Sequence, residues 1–262
     1  MTDSLGADSL WCRRFNPSDR GAPRLVCFPH AGGSASYFHP VSAALSPAVD
    51  VLAIQYPGRQ DRRTERGVED IRSLADGVFQ ALKTLADRPL TFFGHSMGAV
   101  VAFEVARRFA SEGLVGPARL FVSGRRAPTR HRDEALHLRG DDAIVAEVLS
   151  LGGTDLRVLM NEELLSMVLP ALRSDYMAVE TYRGEPDAVV PCPITALVGD
   201  TDPRASIDEV RAWETHTGGG FSLHVLPGGH FYLSSRAAEV LQVLVEHFGD
   251  PAAPPVPTGA HK

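Results

Sequence analysis

Gly94-His95-Ser96-Met97-Gly98 constrains the fold of this chain more than any other stretch. It fits the pattern Gly-x-Ser-x-Gly. The apolar run Leu90-Thr91-Phe92-Phe93 precedes it, and Ala99-Val100-Val101-Ala102-Phe103 opens a buried-looking helix after it. Strand, sharp turn and helix form the context in which such a serine sits on an elbow with its hydroxyl exposed. The turn strains the serine backbone. Side chains two residues before and after it would collide, so glycine is needed on both sides. The serine also opens a helix, whose unpaired N–H groups favour developing negative charge. The plain alternative is an ordinary glycine-rich turn. The strand before and the helix after argue against it.

Around this elbow, short β-branched or aromatic runs alternate with helical patterns. That alternation predicts an α/β fold with a mainly parallel sheet flanked by helices. Strands are expected at 24–28, 49–54, 90–93, 119–122, 194–198 and 222–226. Helices are expected at 37–45, 68–86, 97–112, 206–213 and 237–248. In the last of these, Val240, Leu241, Leu244, Val245 and Phe248 recur at helical spacing, which is core packing. Residues 125–187 break the alternation. A basic loop opens there, and helical stretches follow at 142–149, 162–172 and 174–182, with no convincing strand. An all-helical insertion between two sheet strands commonly forms a lid. The domain reading is a core of residues 1–124 and 188–249, a helical lid insertion at 125–187, and a Pro-rich tail at 250–262 expected to be disordered.

Bulk properties exclude several classes. A net charge of −6 argues against general nucleic-acid binding. Lysine occurs only at Lys83 and Lys262, so nearly all positive charge is arginine. Cys12, Cys27 and Cys192 are odd in number and widely spaced, which fits neither a disulfide framework nor a zinc site. HExxH, paired CxxC, GxGxxG and P-loop patterns are absent, so neither a metal nor a nucleotide cofactor is expected. The first ten residues contain acids and no apolar core of a signal peptide, and no run approaches the ~18 apolar residues of a membrane span. We expect a soluble cytoplasmic monomer without a membrane partner.

A nucleophilic serine needs a base, and the base needs an acid that orients it. In this context the chain order is serine, acid, histidine. The acid candidates lie in Val198-Gly199-Asp200-Thr201-Asp202-Pro203, a loop that follows an apolar strand. Asp202 is favoured because it precedes the proline-marked turn. Asp200 is expected to cap that turn through its own side chain. The base candidate is His230 in Pro227-Gly228-Gly229-His230-Phe231, whose glycines let a loop after the last strand approach the serine. His95 is expected only to pack, while His224 lies on a strand and His247 on a helix surface. Oxyanion donors are expected from the backbone N–H groups of Met97 and Ala31, the latter in Phe28-Pro29-His30-Ala31-Gly32-Gly33 after an early strand.

Taken together, these motifs resemble the type II thioesterases that accompany modular polyketide and nonribosomal peptide synthases, within the α/β-hydrolase superfamily. The elbow alone identifies only a hydrolase. Tyr56-Pro57-Gly58-Arg59-Gln60-Asp61-Arg62 and Leu172-Arg173-Ser174-Asp175-Tyr176 make the match specific, and the matching pieces run in family order from about residue 12 to 248. The family triad falls on Ser96, Asp202 and His230. The chain departs from the pattern in the arginine-rich stretch after Gly124 and in the Pro-rich tail.

The resemblance implies hydrolysis of acyl thioesters from the phosphopantetheine arm of acyl or peptidyl carrier protein domains, with no cofactor of its own. The usual role is removal of aberrant acyl groups. Because such carriers are acidic, Arg59, Arg62, Arg63, Arg125, Arg126, Arg130 and Arg132 are candidate docking residues, against the reading of a solvated charged loop. Other readings are a general carboxylesterase or lipase, a chain-releasing thioesterase, and a non-catalytic hydrolase-fold binding protein. The last typically lacks a triad residue, and this chain has all three.

Overall fold

The computed structural model describes residues 10–153 and 161–249. Seven strands form one sheet: β1 (Cys12–Arg13), β2 (Arg24–Phe28), β3 (Asp50–Ile54), β4 (Leu90–His95), β5 (Arg119–Ser123), β6 (Ile194–Gly199) and β7 (Phe221–Leu226). Their spatial order is β1-β3-β2-β4-β5-β6-β7. All neighbours pair in parallel except β1, which runs antiparallel to β3 with Cys12 opposite Ile54. Strands β2, β3, β4 and β6 are buried at every position. Such burial on both faces explains why they read as continuous apolar runs rather than as alternating ones.

The helices are α1 (His39–Leu45), α2 (Ile71–Leu82), α3 (Met97–Ser111), α4 (Asp141–Leu151), α5 (Glu162–Thr181), α6 (Ile207–Arg211), α7 (Tyr232–Ser235) and α8 (Ala237–Gly249). On one sheet face α2 and α3 bury Ile71, Leu74, Val78, Phe103 and Phe109 against Val26, Phe92 and Leu120. On the other, α1 and α8 bury Leu45, Val240 and Leu244 against Cys27, Val51 and Phe121. Each large side chain so buried contributes about 1.5–3 kcal/mol relative to exposure. This is the mainly parallel sheet flanked by helices that the alternation predicts, and it fits the α/β-hydrolase fold that the resemblance implies. The chain leaves β2 on one side to make β3, then returns on the other side as β4. That reversal opens a crevice beyond the carboxyl ends of β2 and β4, the place where open α/β sheets bind ligands.

Sequence and structure differ at two places. Strand β1 is absent from the predicted elements, because two residues carry no periodicity. The expected helices at 162–172 and 174–182 are one helix, α5, with Pro170 inside it. Ser174 Oγ donates to the Pro170 carbonyl at 2.6 Å, and Leu172 and Tyr176 continue one apolar stripe past Arg173. The predicted tail at 250–262 lies outside the described residues. Between β5 and β6 the described residues contain no strand, as the sequence predicts. Here Leu136, Ile144, Val148, Leu172 and Tyr176 form a small apolar cluster of their own. Among the described residues, no helix is long and apolar enough to cross a membrane.

Candidate active site

Ser96 stands between β4 and α3 with φ 54° and ψ −117°, a conformation that costs on the order of 1–3 kcal/mol for a residue with a side chain. The flanking glycines are sterically required. A Cβ on Gly94 would lie 2.3 Å from the Gly98 carbonyl oxygen, and one on Gly98 would lie 2.0 Å from that of Phe28. Ser96 N–H donates to the Ser123 carbonyl at the end of β5, at 2.8 Å. The elbow is thereby tied to the neighbouring strand.

The three side chains singled out in the sequence meet here from 134 residues of separation. His230 Nε2 lies 3.0 Å from Ser96 Oγ. His230 Nδ1 lies 3.0 Å from each Asp202 carboxylate oxygen. Both partners are buried, His230 at 4% and Asp202 at 8% exposure, so water is kept from that bond. Asp202 Oδ1 also accepts from Arg204 N–H at 2.8 Å, which fixes the carboxylate in its own turn. Asp200 acts differently from the sequence reading. Its Oδ1 accepts the Gly228 N–H at 2.8 Å, so it braces the histidine loop across the cleft instead of capping its own turn. Gly199 lets the two loops touch, since a Cβ there would lie 2.2 Å from the Gly228 carbonyl oxygen.

Ala31 lines the same cavity as Ser96 and His230, and Met97 is the first residue of α3. The loop after β2 that carries Ala31 is held by a buried ion pair that the sequence did not reveal. Arg59 Nη1 and Nη2 donate to the two Asp175 oxygens, each at 2.8 Å. Asp175 Oδ2 also accepts Gly32 N–H at 2.7 Å, and Arg59 Nη1 donates to the Gly33 carbonyl at 3.0 Å. The Tyr-Pro-Gly-Arg element and the Leu-Arg-x-Asp element therefore grip the loop that carries Ala31. Gly32 has φ 74°, and a Cβ there would lie 2.3 Å from Leu172.

Two further imidazoles surround His230. His95 is wholly buried and shares a hydrogen bond with Ser123 Oγ at 2.9 Å, in keeping with a packing role. His30 stacks edgewise on Tyr37 and Phe231. Burial, with the nearby His230 adding to it, holds His30 down at about 3 and His95 well below the usual imidazole range. Both are uncharged at neutral pH.

The insertion closes the far side of the cleft with Val148 and Leu151 of α4 and Tyr176 and Val179 of α5. The cavity at Ser96 has a volume of about 40 Å³. Several arginines expected at a docking surface are turned inward. Arg59 is held by Asp175. Arg62 is buried, pairs with Glu65 and lies 4.4 Å from the Trp11 ring centroid. Arg126, 2% exposed, pairs with Glu134. Arg132 pairs with Glu209, and Arg125 lines the cavity. Charge alone does not reveal a partner elsewhere in the chain, which is why the buried Arg59, Arg62 and Arg126 read as surface charge. Arg63 and Arg130 remain exposed. Among the described residues no cluster of three or more His, Cys, Asp or Glu side chains is placed to hold a metal ion.

Comparison with known proteins bears on this geometry. The family model described as a thioesterase domain matches residues 23–248. The chain is 50% identical over 250 residues to thioesterase PikA5 of Streptomyces venezuelae, covering 94% of this chain and 89% of that protein. It is 49% identical over 257 residues to a probable cadicidin biosynthesis thioesterase of Streptomyces griseus, covering 97% of this chain and 71% of that one. Among solved structures, the type II thioesterase BorB from the borrelidin biosynthetic cluster superposes with a TM-score of 0.86 at 50% identity. That match covers 91% of this chain and 98% of BorB.

Proposed function

This chain belongs to the thioesterase domain family and is a thioester hydrolase, and we propose that it is an editing type II thioesterase acting through Ser96, His230 and Asp202. Its substrates are acyl groups on the phosphopantetheine arm of acyl or peptidyl carrier domains of a modular synthase. The observation that carries the reading is the continuous line from Ser96 Oγ to His230 Nε2, and from His230 Nδ1 to Asp202, each link 3.0 Å.

In the first half-reaction Ser96 Oγ attacks the thioester carbonyl carbon and its proton passes to His230 Nε2. The carbonyl oxygen takes the negative charge and is met by the N–H groups of Ala31 and Met97. The C–S bond breaks, and His230 returns the proton to the departing pantetheine thiolate. In the second half-reaction His230 takes a proton from water, which attacks the acyl-serine carbonyl. The ester C–O bond breaks, Ser96 regains its proton and the free acid leaves. Asp202 stays ionised throughout and holds the imidazole in the required orientation. The chemistry uses side chains, backbone amides and water alone.

Proximity of Val148, Leu151, Tyr176 and Val179 to Ser96 supports the reading of the insertion as a lid, with Val148 and Tyr176 shaping the acyl side. Exposed Arg63 and Arg130 are the candidates left for steering an acidic carrier. The test is a side-by-side rate comparison on an acyl-carrier, the same acyl group on a small thiol, and its oxygen ester. Highest kcat/KM on the carrier is expected. Preference for the simple oxygen ester would replace this reading with a general carboxylesterase.

A further inference from the structure

Four charged side chains line the small cavity at Ser96: Arg125, Glu134, Glu180 and Arg204. Three of them are matched. Glu134 accepts from Arg126 at 2.8 Å and from Arg204 at 2.9 Å. Arg204 also reaches Glu147 at 2.6 Å. Glu180 accepts the N–H groups of Leu136 and His137 at 3.0 and 2.9 Å and meets the His137 ring. Arg125 is the exception. Among the described residues it has no ion pair, its Nε is buried without a hydrogen-bond partner, and Nη2 reaches only the Val179 carbonyl at a long 3.4 Å.

Arg125 is half-buried as a whole, but a buried donor such as its Nε left unused is costly, and a native site normally satisfies it. Burial, with the neighbouring Arg126 charge, depresses Arg125 to about 9, so it still carries its proton at neutral pH. Its backbone is fixed. The Arg125 carbonyl accepts from Trp213 Nε1 at 2.8 Å, and the preceding Gly124 sits against His95 and Asp202. The side chain therefore starts from a fixed point and lines the cavity that contains the nucleophile. On the scale where one water needs about 10–15 Å³, a cavity of about 40 Å³ admits about three such groups. That is the size of a short acyl chain. Because Arg125 itself brings the four lining charges to zero, a neutral acceptor fits the unmatched donor better than a further carboxylate beside Glu134 and Glu180.

The geometry points to Arg125 as a specificity-determining residue that donates a hydrogen bond to a ketone or hydroxyl oxygen on a short acyl group. The inference rests on the reading of Ser96 as nucleophile and adds the class of acyl group that the pocket selects. It assigns Arg125 to substrate selection, in place of the carrier docking expected from its position in a basic loop.

The test uses N-acetylcysteamine thioesters of butyryl, 3-hydroxybutyryl and acetoacetyl groups with wild type, Arg125→Met and Arg125→Lys. A charge-assisted hydrogen bond carries a factor of about ten or more. The ratio of kcat/KM for each oxygenated substrate over butyryl should therefore fall about tenfold or more in Arg125→Met. Arg125→Lys should recover most of that ratio. An unchanged ratio in Arg125→Met, with all substrates losing equally, would overturn the assignment and leave Arg125 as a packing residue. If Arg125→Met does not fold, wild type alone still decides. Acetoacetamide should then inhibit about tenfold more strongly than butyramide, and equal inhibition would overturn the assignment. Failure of the underlying reading looks different, since Ser96→Ala would then keep hydrolysing the thioesters.

Discussion

The two walls of the cleft are built by different physics. The strand-end wall carries Ser96, Asp202 and His230 on short loops that leave β4, β6 and β7. Glycine turns and backbone hydrogen bonds of the sheet hold it, and the reacting atoms have little freedom. The insertion wall, α4 and α5, combines a small apolar cluster of its own with Ala178 and Val179 of α5, which pack into the main core, and with buried ion pairs such as Arg59–Asp175. A wall made by the sheet fixes the chemistry. A wall made by one helix pair, a small cluster and long-range charges is freer to vary between relatives than one made by the sheet, and on the proposed function that wall sets the acyl group admitted.

Substitution should separate these walls. The largest effect is expected on the strand-end side. Ser96→Ala should lower kcat/KM by about 10⁶-fold and Asp202→Asn by about 10⁴-fold, as in other serine triads, with melting temperatures close to wild type. A small rate loss from either would show that the wall does not act as one unit. Asp175 probes the joint between the walls. Asp175→Ala strands the buried Arg59 charge, which should cost about 3–5 kcal/mol in urea unfolding. Release of the Gly32 amide should also misplace the oxyanion loop and reduce kcat by about 10²-fold. Two buried carboxylates, Asp202 and Asp175, would thus differ in kind. One acts on rate alone, and the other acts on rate and stability together. Equal stability of the two variants would erase the distinction.

Acid should weaken the strand-end wall by a smaller amount. Unfolded histidine takes up a proton near pH 6.5, whereas buried His30 does so only at about 3. Between those values the unfolded chain binds more protons, so stability is fully present above pH 6.5 and is lost as pH falls toward 3. Each such histidine contributes a slope of about 1.4 kcal/mol per pH unit at most. His95 and His216 are shifted in the same direction by burial and add to it. Urea unfolding from pH 6.5 to 4 should show a shallower slope for His30→Gln than for wild type, and matching slopes would contradict the assignment.

What the sequence disclosed follows the same division. The sheet was legible because fully buried parallel strands are apolar throughout, and the candidate triad because its chain order and glycine loops are local signals. The joints were not. Arg59 finds Asp175 across 116 residues, and no pattern near either names the other. Arg62 and Arg126 read as surface charge, because burial of an arginine depends on a partner such as Glu134 that local sequence does not mark. The continuity of α5 was missed at Arg173, a charged position between apolar ones, although Leu172 and Tyr176 share one face across it.

The central claim is that the strand-end wall cleaves a carrier-bound thioester through an acyl group on Ser96. The most direct measurement is intact-protein mass spectrometry of an acyl-loaded carrier protein before and after addition of wild type or Ser96→Ala. Wild type should return the carrier to the mass of its free phosphopantetheine form, while Ser96→Ala should leave the acyl group in place over the same time. Removal of the acyl group by Ser96→Ala at the wild-type rate would contradict the claim.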